Sequence, residues 1–311
     1  MTNFWIKLRR PFYALAPMED VTDTVFRQII CSIGRPDVMF TEFANVEAIL
    51  HGDLQRLKFT DSERPLVTQI WGTDPQKFYQ AAVIVKKLGF DGIDINLGCP
   101  VKDVVKQGAC SAMIGDRDRV REIISATREA GLPVSVKTRI GTKKIVTNEW
   151  IGFLLTQNLA AITVHGRTVA EKSAVPVHWE EIGKAVSLRN QSESKTLIIG
   201  NGDVDSIENG KLKMENYGVD GVMIGRGVLS NPAVFADREL SRNQRFQLLF
   251  QHINLWDQTW GTRKNFTVIK KFIKAYVNGF IGASLIRQEL IATHNLLELK
   301  TKLRSMVSYK I

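Results

Sequence analysis

Up to about residue 230, short apolar, β-branched runs alternate with longer stretches of helical periodicity. The runs are Phe12–Ala16, Val38–Thr41, Leu66–Ile70, Gly92–Leu97, Val134–Thr138, Ala161–Val164, Thr196–Ile199 and Gly221–Ile224. Continuous apolar strands of this kind suit a parallel sheet covered on its faces. Pro75–Leu88, Arg117–Ala130 and Asn148–Asn158 read as helices between them. Leu88-Gly89, Ala130-Gly131 and Tyr217-Gly218 read as helix stops before the next strand. Eight strand–helix units predict an α/β protein with a TIM (β/α)8 barrel rather than an open doubly wound sheet. The stretch from Glu42 to Arg64 shows little clear helix.

The pattern changes after Asn231-Pro232. From Phe235 onward no strand signal remains, and Phe246–Trp256, Thr267–Val277, Ala283–Thr293 and Leu296–Val307 read as helices. Gly279 and Gly282 punctuate between them. The expected division is a barrel over residues 1–235 followed by a small C-terminal helical-bundle domain over residues 236–311.

Composition narrows the function classes. With 44% hydrophobic residues and a mean hydropathy of −0.08, the chain can bury a sizeable core. No apolar run approaches the ~18 residues of a membrane span. Met1 to Arg10 lacks the long apolar stretch of a signal peptide, so a cytoplasmic protein is expected. Three cysteines, Cys31, Cys99 and Cys110, make a poor disulfide framework and fit a reducing compartment. Without a CxxC or HExxH pattern, no metal site is expected. The net charge is +10, which suits a polyanionic partner. From Ala236 to the C-terminus there are 13 Lys/Arg against 5 Asp/Glu, so most of the excess lies in the helical tail.

In a TIM barrel, chemistry gathers at the C-terminal ends of the strands. Those ends carry Ala16-Pro17-Met18, Gln69, Asn96 through Pro100, Lys137-Thr138-Arg139, His165-Gly166-Arg167, Asn201-Gly202-Asp203 and Gly225-Arg226-Gly227. The last two sets, after the seventh and eighth runs, are Gly-rich turns where this barrel usually holds phosphate. One phosphate site without GxGxxG argues for a mononucleotide. Lys137 lies in line with a buried strand, where an ammonium is costly unless it meets an anion or a polar ligand. The negative edge of a reduced flavin is such a ligand, and a structural salt bridge is the ordinary alternative. Cys99, between Gly98 and Pro100, sits on a bent loop, and an ordinary thiol there is mostly protonated at neutral pH. It can act as a general acid, or as a nucleophile if a base activates it. Cys31 reads as core and Cys110 as a small-residue turn position.

These motifs, in this order, resemble the tRNA-dihydrouridine synthase family. The match runs through Ala16-Pro17-Met18, Asp94-Ile95-Asn96-Leu97-Gly98-Cys99-Pro100, Val136-Lys137-Thr138-Arg139, His165-Gly166-Arg167-Thr168, Asn201-Gly202-Asp203 and Ile224-Gly225-Arg226. The resemblance implies an FMN-bound barrel and a helical, tRNA-binding domain, with NADPH or NADH reducing the flavin. It implies hydride transfer to C6 of a uracil, with Cys99 protonating C5. Ala16, Pro17, Met18, Gln69, Lys137, His165, Asn201, Gly202, Asp203, Gly225 and Arg226 would hold FMN. Asn96, Arg139, Arg167 and Lys172 would face the uracil or its phosphates. A monomer is expected. Cys110 departs from the family, which commonly has glycine there; Glu19-Asp20 and Ser173-Ala174-Val175-Pro176 depart as well. The nearest rival is a dihydroorotate dehydrogenase-like FMN enzyme acting on a free pyrimidine, which would not need the basic tail. An RNA-binding protein that has lost catalysis would not need Cys99 and Lys137.

Overall fold

The computed structural model describes residues 3–308. Its strands are β1 (Phe12–Leu15), β2 (Val38–Phe40), β3 (Ala44–Asn45), β4 (Leu66–Trp71), β5 (Gly92–Leu97), β6 (Val134–Arg139), β7 (Ala161–His165), β8 (Leu197–Asn201) and β9 (Gly221–Ile224). All pair in parallel, in the order β2-β1-β9-β8-β7-β6-β5-β4-β3. A further pairing of β2 with β4, Met39 opposite Leu66, closes a ring of eight. The two-residue β3 continues the line of β2 along the end of β4. Helices surround this closed parallel barrel, the arrangement of a TIM barrel.

Strand parity decides what each side chain meets. Leu15, Met39, Ile93, Ile95, Val136, Ile162, Val164, Ile198 and Val222 point outward and join one apolar cluster with the helices. Phe12, Ala14, Val38, Phe40, Val67, Ala161, Leu197, Ile199 and Met223 point inward and form a separate cluster with Trp5. The Trp5 ring lies 6.2 Å from that of Phe12 and 6.4 Å from that of Phe40. The N-terminal end of the barrel is thereby filled with apolar side chains.

The surrounding helices follow local rules. Helix Pro75–Leu88 begins where Asp74 accepts from the N–H groups of Gln76 and Lys77, with Pro75 in the first turn. It ends at Gly89, whose φ of 89° permits the left-handed stop. Phe78, Ala81, Ala82 and Val85 form its buried face. Between Glu42 and Arg64 the chain makes a five-residue helix, Val46–Leu50, and 3-10 turns at Gln55–Leu57 and Asp61–Glu63.

Beyond the barrel come helices Arg242–Trp260, Thr267–Lys270, Ile273–Tyr276, Ala283–Ile291 and Leu296–Ser308. The helix expected over Thr267–Val277 is two short pieces. Phe272, between them, bonds from its N–H to Ile269 O and inserts its ring against Phe26 and His252. Trp260 donates from its indole N–H to Asp23 at 2.8 Å. Phe246, Leu249, Trp256 and Leu303 of these helices belong to the same apolar cluster as Val25, Phe26 and Ile30 beside the barrel. Among the described residues no helix is long and apolar enough to cross a membrane.

Candidate active site

Parity turns Gln69, Asp94, Asn96, Ser135, Lys137, Arg139, His165 and Asn201 toward the barrel axis. Gln69, Asp94 and Ser135 share one row of the register. Asn96 pairs with Lys137, and Arg139, His165 and Asn201 share a row nearer the mouth.

The lower row is a chain of oriented amides. Ser135 donates to Asp94 at 2.6 Å, and Gln69 gives its amide N–H to the other Asp94 oxygen at 2.7 Å. A carboxylate only accepts, so the Gln69 oxygen must face away from it, and there it accepts from Asn96 at 2.9 Å. The Asn96 oxygen is left to accept from the backbone N–H groups of Gly98 and Cys99, both at 3.0 Å. The orientation set at Asp94 therefore fixes the loop that carries Cys99. Burial raises the Asp94 carboxyl to about 6, although both donors favour its ionised form. Gln69 and Asn96, expected to face cofactor and substrate, have their amides engaged with each other.

A cavity of about 480 Å³ opens at the C-terminal ends of β1, β6, β7, β8 and β9. It gathers Ala16, Pro17, Met18, Lys137, His165, Arg167, Asn201, Gly202, Asp203, Gly225 and Arg226, all singled out in the sequence. Val204, Asp205, Met223, Gly227 and Ser230 also line it. Gln69, Asn96, Cys99, Arg139 and Lys172 are not among the lining residues. A larger cavity of about 980 Å³ lies at the opposite end of the barrel, by Trp5, Arg10 and Arg189. The end of the barrel that carries catalytic groups is the one with the smaller cavity.

Lys137 donates to the Asn201 side-chain oxygen at 2.9 Å, and Asn201 is held by the Met223 carbonyl. Desolvation lowers its ammonium to about 8, with the Arg139 charge adding to the effect. Burial first, and then Lys137, Arg139, Arg167 and Arg226, push His165 down to about 2, so its imidazole is neutral. Arg167 clamps Asp203 with two nitrogens and donates to Val175 O at 2.6 Å. Arg226 reaches the same carboxylate at 3.1 Å. A Cβ on Gly202 would lie 2.8 Å from Val177, so this turn is closed to larger residues.

Cys99 follows β5. Arg139 donates to Gly98 O at 2.9 Å, to Thr168 O at 3.1 Å and to Lys172 O at 3.3 Å, tying the Cys99 loop to the loop after β7. Lys172 itself is exposed. The Cys99 thiol is lowered to about 7, chiefly by a hydrogen bond from the Cys110 thiol. Donating that bond, and then burial, pushes the Cys110 thiol up. Sequence reasoning missed Asp94 and Ser135, although a charged residue inside the run Gly92–Leu97 was a signal. Glu19, Asp20 and Glu42 bring carboxylate oxygens within 4.8 Å of one another beside Met18. Arg56, Lys271 and Lys264 answer their charge.

Fold and site together define a barrel enzyme with a cationic cleft and a poised thiol at its mouth. A family model described as "Dihydrouridine synthase (Dus)" matches residues 14–310. The chain is 42% identical over 310 residues to "Probable tRNA-dihydrouridine synthase" of Staphylococcus aureus (strain COL), covering 97% of this chain and 94% of that one. It is also 42% identical to "Probable tRNA-dihydrouridine synthase 2" of Bacillus subtilis (strain 168), covering 97% and 95%. The chain therefore belongs to the dihydrouridine synthase family. Among solved structures it resembles a 2-naphthoyl-CoA reductase, with a TM-score of 0.53 and 11% identity over 72% of this chain and 49% of that one. It also resembles a 6-hydroxypseudooxynicotine amine oxidase from Pseudomonas geniculata N1, with a TM-score of 0.55 and 11% identity over 78% and 50%. At that identity the likeness is one of fold.

Proposed function

We propose that this chain is an FMN-dependent tRNA-dihydrouridine synthase, using NADPH or NADH to reduce the C5=C6 bond of uridines in tRNA. The observation that carries this reading is the register of Asn96 with Lys137. It sets the Cys99 loop and a desolvated ammonium at the same end of adjacent strands.

The cavity fits FMN on its own chemistry. Lys137 has only a neutral oxygen as hydrogen-bond partner, and its charge suits the N1–C2=O edge of a flavin. Arg226 and the turns at Gly202 and Gly225 supply a cationic lining suited to a phosphate. Ala16, Pro17, Met18, His165, Asn201 and Asp203 complete the cradle, with Gln69 beneath it. Held there, FMN would supply the hydride chemistry that links NAD(P)H to uracil C6. Cys99 holds the proton for C5. A thiol lowered to about 7 is near the optimum for a general acid at neutral pH. Asn96 and Arg139 hold its loop, and Arg167 braces the loop after β7. Lys172, exposed on that loop, meets the substrate.

A uracil in folded tRNA must leave its stack to reach this site, which requires phosphate contacts outside it. Residues 236–311 are proposed as the domain that makes them, on a barrel of residues 1–235. Arg242, Arg263, Lys271 and Lys274 are exposed there. The protein is read as a cytoplasmic monomer.

Replacing Cys99 by Ala tests the assignment. Dihydrouridine in tRNA, quantified by mass, is expected to vanish while the yellow flavin absorbance stays. Full activity in that variant refutes the role of Cys99. Reduction of free orotate but not of tRNA favours the rival pyrimidine enzyme.

A further inference from the structure

In the proposed reaction Cys110 tunes the Cys99 thiol but is given no bond to make or break. Its side chain is fully buried at the start of the 3-10 turn Cys110–Met113, packed with Val104 and Ala109. Its backbone holds φ at +53°, a region that favours glycine and costs other residues. A side chain kept there needs something to do. Cys99 packs against the same small cluster, which brings the two side chains together. Ser111 O–H donates to the Cys99 carbonyl at 2.7 Å and ties the two segments together. Cys99 is half-buried and Cys110 has no exposure.

The geometry points to a two-cysteine redox site, in which Cys99 is the peroxide-reactive sulfur and Cys110 the resolving thiol that closes a disulfide with it. The oxidant is a hydroperoxide. The Cys99 thiolate attacks one peroxide oxygen; an S–O bond forms, the O–O bond breaks and hydroxide leaves. The Cys110 thiol then attacks the resulting sulfenic sulfur, forming S–S and breaking S–O, and water leaves. Two thiols lose two electrons together, and hydrogen peroxide ends as two waters. A dithiol reductant reverses the bond by exchange. The arrangement has the features of a redox-sensitive cysteine: a lowered thiol, solvent access and a neighbouring resolving sulfur. The disulfide leaves Cys99 without a proton to give. Its functional consequence rests on the acid role proposed above, whereas the disulfide itself does not.

The test uses the purified full-length holoprotein treated with hydrogen peroxide, alkylated and cut with trypsin. Cleavage after Lys87, Lys102, Lys106 and Arg117 separates the peptides 88–102, with Cys99, and 107–117, with Cys110. The expected result is a linked pair of these peptides and a roughly ten-fold or greater loss of dihydrouridine formation, restored by a dithiol. NADPH oxidation with a quinone as acceptor continues meanwhile, because that reaction needs no thiol. In Cys110→Gly the same dose is expected to give loss that a dithiol does not restore, with Cys99 carrying a sulfinic acid. Sulfinic acid on Cys99 of the unsubstituted protein, without a linked pair, overturns the inference. So does a linked pair joining either cysteine to Cys31. A 99–110 link with undiminished dihydrouridine formation overturns the switch and the acid role together. Failure of the link alone leaves the Cys99→Ala result standing.

Discussion

Asp94→Asn isolates what the buried carboxylate costs the fold. Asp94 has no exposure, and burial raises its pKa from 3.8 to about 6. In the unfolded chain the group ionises near 3.8, so the folded protein binds its proton more tightly. Stability is therefore greatest while Asp94 is protonated and falls as pH rises from about 4 to about 6. At 1.36 kcal/mol per unit, a rise of about two units costs about 3 kcal/mol once both states are ionised. Asparagine carries no such cost. It can still accept from Gln69 if its NH2 faces Ser135, whose hydroxyl can accept as well as donate. Any difference in those hydrogen bonds offsets the stability curve without changing its slope with pH. The assay is thermal unfolding of both proteins, followed by circular dichroism from about pH 4 to about pH 7.5. The melting temperature of the variant relative to the unsubstituted protein is expected to climb by about 5 °C across that range, at ~2 °C per kcal/mol for a chain of this size. A difference that stays flat with pH would falsify the claim that a costly ionised carboxylate orients the Gln69–Asn96 chain.

Three further outcomes follow from the same geometry. Asn96→Ala frees the N–H groups of Gly98 and Cys99, and dihydrouridine formation is expected to fall ~100-fold with flavin content unchanged; loss of flavin instead would place Asn96 in the cofactor cradle. Dihydrouridine formation should decline as pH rises through about 7, where Cys99 loses its proton. In Cys110→Gly that decline moves to higher pH, because the hydrogen bond that lowers the Cys99 thiol is gone; an unmoved profile contradicts this. Lys271→Gln with Lys274→Gln should weaken tRNA binding and make its dependence on salt shallower by about 1.5 in log–log slope. Filter binding across salt concentrations checks this, and unchanged affinity counts against the tail as the tRNA contact. Point substitution is the right perturbation there. Deleting the tail would strip Trp260 from Asp23 and open the apolar cluster it shares with the barrel.

The barrel was legible because its strands are apolar on both faces and its helices are punctuated. Pro75–Leu88 was read to the residue, since Asp74, Pro75 and Gly89 each carry a local signal. The stretch after Glu42 was not, because a five-residue helix capped by Asn45 is too short for periodicity to show. Thr267–Val277 has helical spacing throughout, yet tertiary packing of Phe272 breaks it in two. At the site, strand-end position collected most of the cavity lining but missed Val204, Asp205, Met223 and Ser230. It could not show which groups bond to one another. That Gln69 meets Asp94 and Asn96 depends on the register of strands about 25 residues apart, and no local pattern encodes it. Cys110 stood out as a departure from the family, but only its positive φ and its contact with Cys99 give that departure a physical meaning.

The electrostatics of the mouth also bear on which group gives the proton. His165, held to about 2, is neutral throughout the working range and can only share hydrogen bonds. Asp94, at about 6, titrates near neutrality, yet both its oxygens are engaged and it has no exposure. Lys137, at about 8, is held toward Asn201 in the wall of the cavity. Cys99, at about 7, sits outside that wall on a loop fixed from below by Asn96 and from the side by Arg139. Lys137 has no carboxylate ion-pair partner among the described residues, and Asp94 acts on it only from a distance, so its charge in the cavity wall is not paired. On the proposed reading an anionic cofactor would meet that charge. On the proposed reading Lys137 would be committed to it, which leaves Cys99 as the titratable group free to protonate the base.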